Sequence, residues 1–472
     1  MIVWVLRIAS SLRNPRHALQ KLTAPQLFVV SFALLIGLGT VGFMVIPGLY
    51  RGDGLSWLDA LFMATSAVCV TGLIVVDTAT YFTGWGQAYI LFLIQMGGLG
   101  ILSFTTIILT ALGVRLSLRH ESISRSPTDI APHIDFRRMT RHIFLFTFSI
   151  EALGAVLLFL FWLPFFDADK ALWHAVFHSI SAFCNAGFST FSTSLIEFRS
   201  RPEILSLVMM LIVLGGIGFL TLEELFLRYR SSRQGHRPLR LSLHTKIVLV
   251  STAVLVVAGW GMFTFVEWGV SLAEMPFSDK IWNGLFMSVT ARTAGFNSVD
   301  YANVSNGANF FTILLMSVGG SPGSTAGGIK TTTAAIIALV AFSRLRGYKI
   351  TMVAGRSIPE ETVQRSIGLF VLAFGVVTAA IFLFSIGEIS WVAHEESGGS
   401  FLKYMFEAVS AFNTVGLSMG ATNELSGTGK FLTTLLMFLG RVGPLTFAAA
   451  LARRYTVGGG KFYYAYEDVA IG

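Results

Sequence analysis

Ser66-Ala67-Val68-Cys69-Val70-Thr71-Gly72-Leu73 is the most informative stretch of this chain, because it returns three more times. It aligns without gaps with Ser181-Ala182-Phe183-Cys184-Asn185-Ala186-Gly187-Phe188 and with Val289-Thr290-Ala291-Arg292-Thr293-Ala294-Gly295-Phe296. The fourth copy is Ser410-Ala411-Phe412-Asn413-Thr414-Val415-Gly416-Leu417. A second anchor follows each strip: Met96-Gly97-Gly98-Leu99-Gly100, Leu214-Gly215-Gly216-Ile217-Gly218, Val318-Gly319-Gly320-Ser321-Pro322 and Leu439-Gly440-Arg441-Val442-Gly443. A single Gly-aromatic match would be noise. Two linked anchors, repeated four times at roughly 110–120 residues, mark four related units.

Outward from each strip the pattern is constant. A long apolar stretch precedes it (25–48, 139–165, 244–268, 363–387), then a linker and a short amphipathic segment (56–69, 170–184, 279–291, 400–412). A second long apolar stretch follows (84–112, 203–228, 308–345, 428–452). Runs such as Leu27–Ile46, Ile143–Phe166, Ile247–Val266 and Ser366–Ile386 reach the ~20 apolar residues that cross a bilayer. With 54% hydrophobic and 13% charged residues and a mean hydropathy of +0.69, a soluble globular chain is excluded. The expected fold is an all-α polytopic membrane protein with eight spans. Four repeats of spanning helix, pore helix and spanning helix would surround one pore with pseudo-fourfold symmetry. The repeats cover 25–112, 139–230, 244–345 and 360–455, between terminal segments 1–24 and 456–472.

The net charge of +8 is informative through its placement. Arg115, Arg119, Arg125, Arg137, Arg138, Arg141, Arg228, Arg230, Arg233, Arg237, Arg240, Lys246, Arg344, Arg346, Lys349, Arg356, Arg453, Arg454 and Lys461 fall at the termini and between repeats. The positive-inside rule puts these segments and both ends in the cytoplasm and the strips outside. Nucleic-acid binding is therefore not expected. Outward linkers carry Asp53, Asp59, Asp77, Asp167, Asp169, Glu267, Glu274, Asp279, Glu388, Glu395 and Glu396, an acidic face that would concentrate cations. Arg7, Arg13, Arg16, His17 and Lys21, without a small-residue cleavage site, argue against a signal peptide. Two cysteines, Cys69 and Cys184, make no disulfide framework.

A dehydrated monovalent cation needs several oxygens at once, and backbone carbonyls supply them without fixed charge. Turning carbonyls inward in an extended strip needs conformations that glycine adopts most easily. Non-helical backbone at membrane depth is tolerated only when it is buried in protein or lines a watery cavity. Val70, Thr71 and Gly72, with Asn185, Ala186 and Gly187, Thr293, Ala294 and Gly295, and Thr414, Val415 and Gly416, are the expected selectivity filter.

These motifs resemble the Trk/Ktr/HKT superfamily of potassium transporters, most closely its bacterial Ktr-type membrane subunits, from about residue 25 to the C-terminus. The most specific pieces are Val70–Leu73, His178–Phe183 with Asn185–Phe188, Thr293–Phe296, Gly319–Thr332 and the closing Glu467–Gly472. The resemblance implies potassium uptake, a plasma-membrane location and a homodimer. It also implies a cytosolic regulatory ring with nucleotide-binding domains. It associates a glycine in every strip with potassium selectivity, and sodium-selective plant relatives carry Ser where this chain has Gly72. Potassium is the transported ion, sodium a stimulatory one at most, and no bound cofactor is expected. A sodium-coupled or sodium-selective carrier of the same fold is the alternative.

The third of the second apolar stretches is interrupted by Gly319, Gly320, Ser321, Pro322, Gly323, Ser324, Thr325, Ala326, Gly327 and Gly328, ending at Lys330. Glycine costs ~1 and proline ~3 kcal/mol in a helix interior, so a break is expected. Broken helices at membrane depth mark sites and gates in transporters, and the resemblance implies an intramembrane gate here. A phosphate-loop reading fails on spacing, since Ile329 intervenes before Lys330, and on the lack of a preceding strand. Arg441 lies mid-span, where a charge costs at least ~2.5–3.5 kcal/mol. The resemblance points it into the cavity beside the gate, to oppose the ion or hold the loop; capping carbonyls near Gly440 and Gly443 is the other reading. Glu151 is also mid-span, with no assigned role. His174 and His178 have a metal-ligand spacing but no third ligand, and are expected to pack behind the filter. No His-Glu-x-x-His motif or nucleophile–base pair points to an enzyme.

Overall fold

The fold is that of a computed structural model, which describes residues 24–100, 136–234, 240–348, 350–389 and 398–443. The first unit comprises α1 (Ala24–Val45), α2 (Trp57–Val68) and α3 (Gly84–Gly98). The second comprises α4 (Phe136–Trp162), α5 (Ala168–Phe183), α6 (Pro202–Ile217) and α7 (Phe219–Arg233). The third has α8 (Leu243–Glu267), α9 (Phe277–Thr290), α10 (Asn306–Met316) and α11 (Thr331–Leu345). After a two-residue hairpin, β1 (Met352–Val353) and β2 (Arg356–Ser357), the fourth has α12 (Glu360–Gly387), α13 (Ser400–Phe412) and α14 (Gly427–Val442). Ala354 and Gly355 both take positive φ, which gives the hairpin turn the hand that its strands need.

Local chemistry sets the helix starts. Ser56, Thr83, Ser242, Ser305 and Ser426 are N-caps whose hydroxyls accept from backbone N–H groups of the first turn. Glu267 and Glu388, at the ends of α8 and α12, reach those of the second helices. Glu267 accepts from the Ser305 amide and hydroxyl, and Glu388 from those of Ser426. Two of the outward carboxylates are thus structural staples. Asp59 is likewise engaged, with Lys430 at 2.7 Å, and Asp77 accepts from Thr80 and Ser192.

The long first helices present large apolar side chains outward at helical spacing, as at Val250, Val254 and Val257 on α8 and Phe370, Val371 and Phe374 on α12. Among the described residues four helices are long and apolar enough to cross a bilayer, five if α6 and α7 form one broken span. The short helices α2, α5, α9 and α13 are buried at the centre, and the second helix of each unit packs on the short helix of the next. The pairs are α3 with α5, α6 with α9, α10 with α13, and α14 with α2, so the order closes on itself.

The second apolar stretches of units one, two and four depart from the expected continuous helices, whereas the expected break of the third is present. Three of these helices end within the Gly anchor, and α10 ends just before it. α3 ends before Leu99 and Gly100, which has φ +72°, and α14 before Gly443 at +86°. Gly218 at +94° separates α6 from α7, which are bent by 101°. Residues 317–330 separate α10 from α11. A residue with φ > 0 cannot continue a right-handed helix, so each span stops or turns there. The segments 1–23, 101–135 and 444–472, with Lys349, Glu395, Glu396 and the basic residues they hold, lie outside the described residues.

Close packing precedes three of the breaks by three residues. A Cβ at Gly97, Gly215 or Gly440 would run into the carbonyl oxygen of Val68, Phe183 or Phe412, the last residue of the short helix in the same unit. Only glycine permits that approach, so the anchors set how closely each second helix meets its own strip.

Candidate functional site

Each strip begins where a short helix ends. Val70, Asn185, Thr293 and Thr414 have φ of +58°, +59°, +72° and +51°, and Gly72, Gly187, Gly295 and Gly416 have +94°, +68°, +79° and +91°. The sign alternates along every strip, and only the glycines adopt positive φ without steric cost. The strain at the non-glycine positions is held by hydroxyl ties. Ser66 and Ser410 accept from the amides of Gly72 and Gly416, each at 3.1 Å. Ser181 and Thr290 donate to the carbonyls of Phe188 and Phe296, each at 2.7 Å.

The four strips meet. A Cβ built on Gly72 would stand 2.5 Å from the Ala186 oxygen, on Gly187 2.8 Å from that of Ala294, and on Gly295 2.5 Å from that of Val415. On Gly416 it would overlap the Thr71 oxygen. The contacts run from strip one to two, three, four and back to one. At Gly295 the added atom would lie 3.2 Å from the Cα of both Gly187 and Gly416, inside the ring.

The ring is rich in oxygen that the protein leaves unpaired. Among the described residues no hydrogen bond reaches the carbonyls of 70–72, 185–187, 293–295 or 414–416, although Thr71, Ala186, Thr293, Ala294 and Val415 are fully buried. The hydroxyls of Thr71, Thr293 and Thr414 are buried and unpartnered as well. Buried polar groups are nearly always paired, and each orphan costs ~1–3 kcal/mol. Such a concentration of free oxygens calls for an occupant that supplies positive charge.

Behind the ring, His178 Nε2 lies 2.9 Å from the Ser189 hydroxyl and His174 Nδ1 2.6 Å from that of Thr190. Both histidines are thus committed to the segment after strip two. Among the described residues no cluster of His, Cys, Asp and Glu could hold a metal. Glu407 takes the corresponding place behind strip four, accepting from Ser418 at 2.7 Å and from Thr422. Cys69 and Cys184 are free, buried thiols. Glu151 accepts from Gln95 at 3.0 Å across the contact between units one and two.

On the short-helix side of the ring, residues 317–330 form a loop with a closed neck. The Gly319 amide donates to the Ile329 carbonyl at 2.8 Å, and the Thr331 amide to Gly320 at 3.0 Å. Ser321 and Thr325 donate through their amides to Gly216 and Gly215, and the Thr325 hydroxyl also reaches the Phe183 carbonyl at 3.2 Å. Gly328 donates to the Gly440 carbonyl at 3.2 Å, and the Lys330 ammonium to Ala326 at 2.6 Å. Arg441 donates to the Thr325 carbonyl in the loop and, at 2.6 Å, to the Gly97 carbonyl in unit one. The guanidinium therefore ties the loop to a neighbouring unit and does not cap the carbonyls around Gly440 and Gly443. A cavity of about 430 Å³, lined in part by Phe32, Phe219, Leu369, Lys330 and Arg441, adjoins the loop.

The structure thus brings all four strips together and sets the loop against them. Sequence reasoning missed the hydroxyl ties, Glu407, Arg292 and Asn413. Ser66, Ser181 and Ser410 share one column of the repeat alignment, as do His178 and Glu407, so column comparison would have exposed both sets.

The TrkH family model, described as a cation transport protein, matches residues 29–456. The chain belongs to the TrkH family of cation transport proteins. It is a multi-pass membrane transporter and not an enzyme. It is 36% identical over 435 residues to the Ktr system potassium uptake protein B of Bacillus subtilis, covering 92% of this chain and 94% of that one. The protein of the same name from Vibrio alginolyticus is 37% identical over 431 residues, 91% of each chain. The potassium/sodium uptake protein NtpJ of Enterococcus hirae is 33% identical over 455 residues, 96% of this chain and 98% of the other. The crystal structure of the potassium transporter TrkH from Vibrio parahaemolyticus superposes with a TM-score of 0.70 at 19% identity, covering 90% of this transporter and 83% of that chain. That likeness supports the fold alone.

Proposed function

We propose that this transporter carries potassium into the cell through the ring of strips, which acts as a carbonyl-lined selectivity filter. Residues 317–330, with Lys330 and Arg441, form its gate. The observation that carries this reading is the closed ring of buried carbonyls and threonine hydroxyls without hydrogen-bond donors. Uncharged oxygens replace an ion's water shell while binding it weakly enough for release. Among the described residues the strips themselves hold no carboxylate, and Glu407 accepts from hydroxyls behind them.

The loop joins units two, three and four on one side of the ring, and Arg441 fastens it to unit one. That placement suits an obstruction that must shift before ions pass. The relatives named as components of a Ktr system support assembly with further subunits. A cytosolic nucleotide-binding ring and a homodimeric membrane part are the form we propose. The basic segments between units support cytoplasmic termini.

Potassium-uptake-deficient cells expressing the chain should grow at limiting potassium, and purified protein in liposomes should pass Rb⁺ down its gradient. Absence of both would sink the reading. The name of the Enterococcus relative favours one second reading, in which sodium is co-transported or stimulates uptake. Rb⁺ flux with and without sodium separates the two.

A further inference from the structure

We propose that Arg292 and Asn413, the residues immediately before strips three and four, couple the ring to the loop, so that ion occupancy and loop conformation bias each other. This rests on the filter and gate reading given above and adds to it a specific mechanical link.

The two residues stand in the column that holds Cys69 and Cys184 in the other units. Among the described residues those thiols make no hydrogen bond to the loop, whereas Arg292 and Asn413 both do. Arg292 extends to the neck, where its Nη2 lies 3.4 Å from the Gly319 carbonyl and 3.5 Å from the Thr331 hydroxyl. These are the two ends of the loop, already bonded to each other by Thr331 Oγ1 to Gly319 at 3.0 Å. Asn413 holds the returning limb. Its Oδ1 accepts from the Ile329 amide at 3.4 Å, while its Nδ2 is fixed on the Val409 carbonyl of α13 at 3.0 Å.

Packing reinforces both links. A Cβ on Gly328 would press on the Asn413 Cα at 2.9 Å, and one on Gly319 would touch the Thr293 methyl at 3.4 Å. At Gly327 it would collide with the Thr414 side chain. The loop therefore touches the first residue of strips three and four, whose left-handed backbone orients the following carbonyls. A cation drawing those carbonyls inward shifts the backbone at Thr293 and Thr414, and with it the residues one position earlier that grip the loop.

Arg292 has no acidic partner, since no ion pair among the described residues includes it, and its Nε is buried without an acceptor. A guanidinium kept in this setting spends its remaining donors on the loop, which fits a positioning role and not a simple charge pair. Its removal leaves no orphan at the neck, because Thr331 continues to serve the Gly319 carbonyl.

Coupling of this kind is reciprocal: if the loop conformation alters ion binding, ion binding must alter the loop by the same factor. The test is hydrogen–deuterium exchange of residues 317–330 in the full chain, in potassium and in N-methylglucamine. In the wild type, potassium should slow loop exchange several-fold. Arg292→Gln and Asn413→Ala should abolish that difference, and Arg292→Lys should restore part of it for the first. Lys330→Gln loosens the loop from within and should speed exchange in both media while keeping their ratio. In liposomes, Arg292→Gln should also shift the potassium concentration giving half-maximal flux, which a merely loosened loop would leave in place. Equal exchange in the two media for the wild type, or a ratio that survives both substitutions, overturns the coupling. Unchanged flux after shortening the loop overturns the gate reading instead, so the two failures are distinguishable.

Discussion

Adding a single methyl group at each ring glycine tests the ring most directly, because the structure ranks the four positions. The Cβ of Gly187→Ala would face the Ala294 oxygen at 2.8 Å, the mildest of the four clashes though still one with backbone. Gly72→Ala and Gly295→Ala bring it to 2.5 Å from the neighbouring oxygen, and Gly416→Ala into overlap with that of Thr71. All four also place an L-residue at positive φ, at a cost of ~1–2 kcal/mol before any clash is counted. At ~1.4 kcal/mol per factor of ten, backbone strain alone lowers occupancy of the working geometry about fivefold to thirtyfold. The clash with backbone, which cannot swing aside as a side chain can, adds to that.

The expected order of Rb⁺ flux in liposomes is therefore wild type, Gly187→Ala, then Gly72→Ala with Gly295→Ala, and finally Gly416→Ala. Discrimination against sodium should fall in the same order. Gly37→Ala on α1 is the control: it has open space around it and ordinary helical φ, where such a change is neutral or slightly stabilising. Equal flux from all four ring variants, with sodium discrimination intact, would show that these glycines do not share one passage.

Removing the Arg441 anchor by Arg441→Gln breaks bonds to the Thr325 and Gly97 carbonyls, each worth ~1.5–3 kcal/mol for a charged donor. Flux without any regulatory subunit should rise at least tenfold, measured in liposomes of the purified chain. Gly97→Ala and Gly440→Ala force the second helices away from the Val68 and Phe412 carbonyls. A loss of ~1–3 kcal/mol follows from such overpacking, read as a lowered Tm in detergent. Glu407→Ala strands the hydroxyls of Ser418 and Thr422, whereas Glu407→Gln still offers an acceptor. Ion selectivity should therefore weaken clearly in the first and only slightly in the second, as measured by reversal potentials.

The repeat, the short helices and the meeting of the strips were all legible, because each depends on a pattern that recurs in register. The starts of α2, α5, α9 and α13 fall within two residues of those read from the sequence. The breaks in α3, α6 and α14 were not foreseen. Gly100, Gly218 and Gly443 sit in apolar runs that satisfy every hydropathy criterion, and a lone glycine costs a helix only ~1 kcal/mol. What ends the helix is a left-handed glycine three positions after the glycine that approaches the short helix of the same unit, a tertiary arrangement that composition does not carry. For Arg441 the resemblance implied a grip on the loop, as at the Thr325 carbonyl, but the Gly97 carbonyl was unreadable, being far away in sequence and only a backbone oxygen. The structural part played by two of the acidic linker residues was not legible either, because spacing does not reveal that Glu267 and Glu388 accept from the caps of α10 and α14.

Departures from fourfold likeness are themselves ordered. His178 and Glu407 precede their strip glycines by the same interval and brace the segments after strips two and four. The corresponding residues in units one and three, Met63 and Phe286, are apolar and fully buried. At this one position opposite quarters of the ring carry a hydrogen-bonding side chain and the intervening quarters an apolar one, in addition to the hydroxyl ties that all four share. Unit three departs further: its short helix ends one residue earlier relative to the strip, Arg292 replaces the thiol of units one and two, and its helix break is a fourteen-residue loop, 317–330, in place of one left-handed glycine. A ring shared by four quarters needs each of them to supply carbonyls, but it needs only one movable obstruction. Concentrating the gate in a quarter that has apolar Phe286 at this position, between two quarters with polar struts there, lets the loop shift without unlocking the neighbouring strips. Replacing Phe286 with a polar strut, as in Phe286→His, should on this argument stiffen unit three and slow loop opening. Faster flux from that variant, with the protein still folded and monodisperse, would contradict the division of labour inferred here.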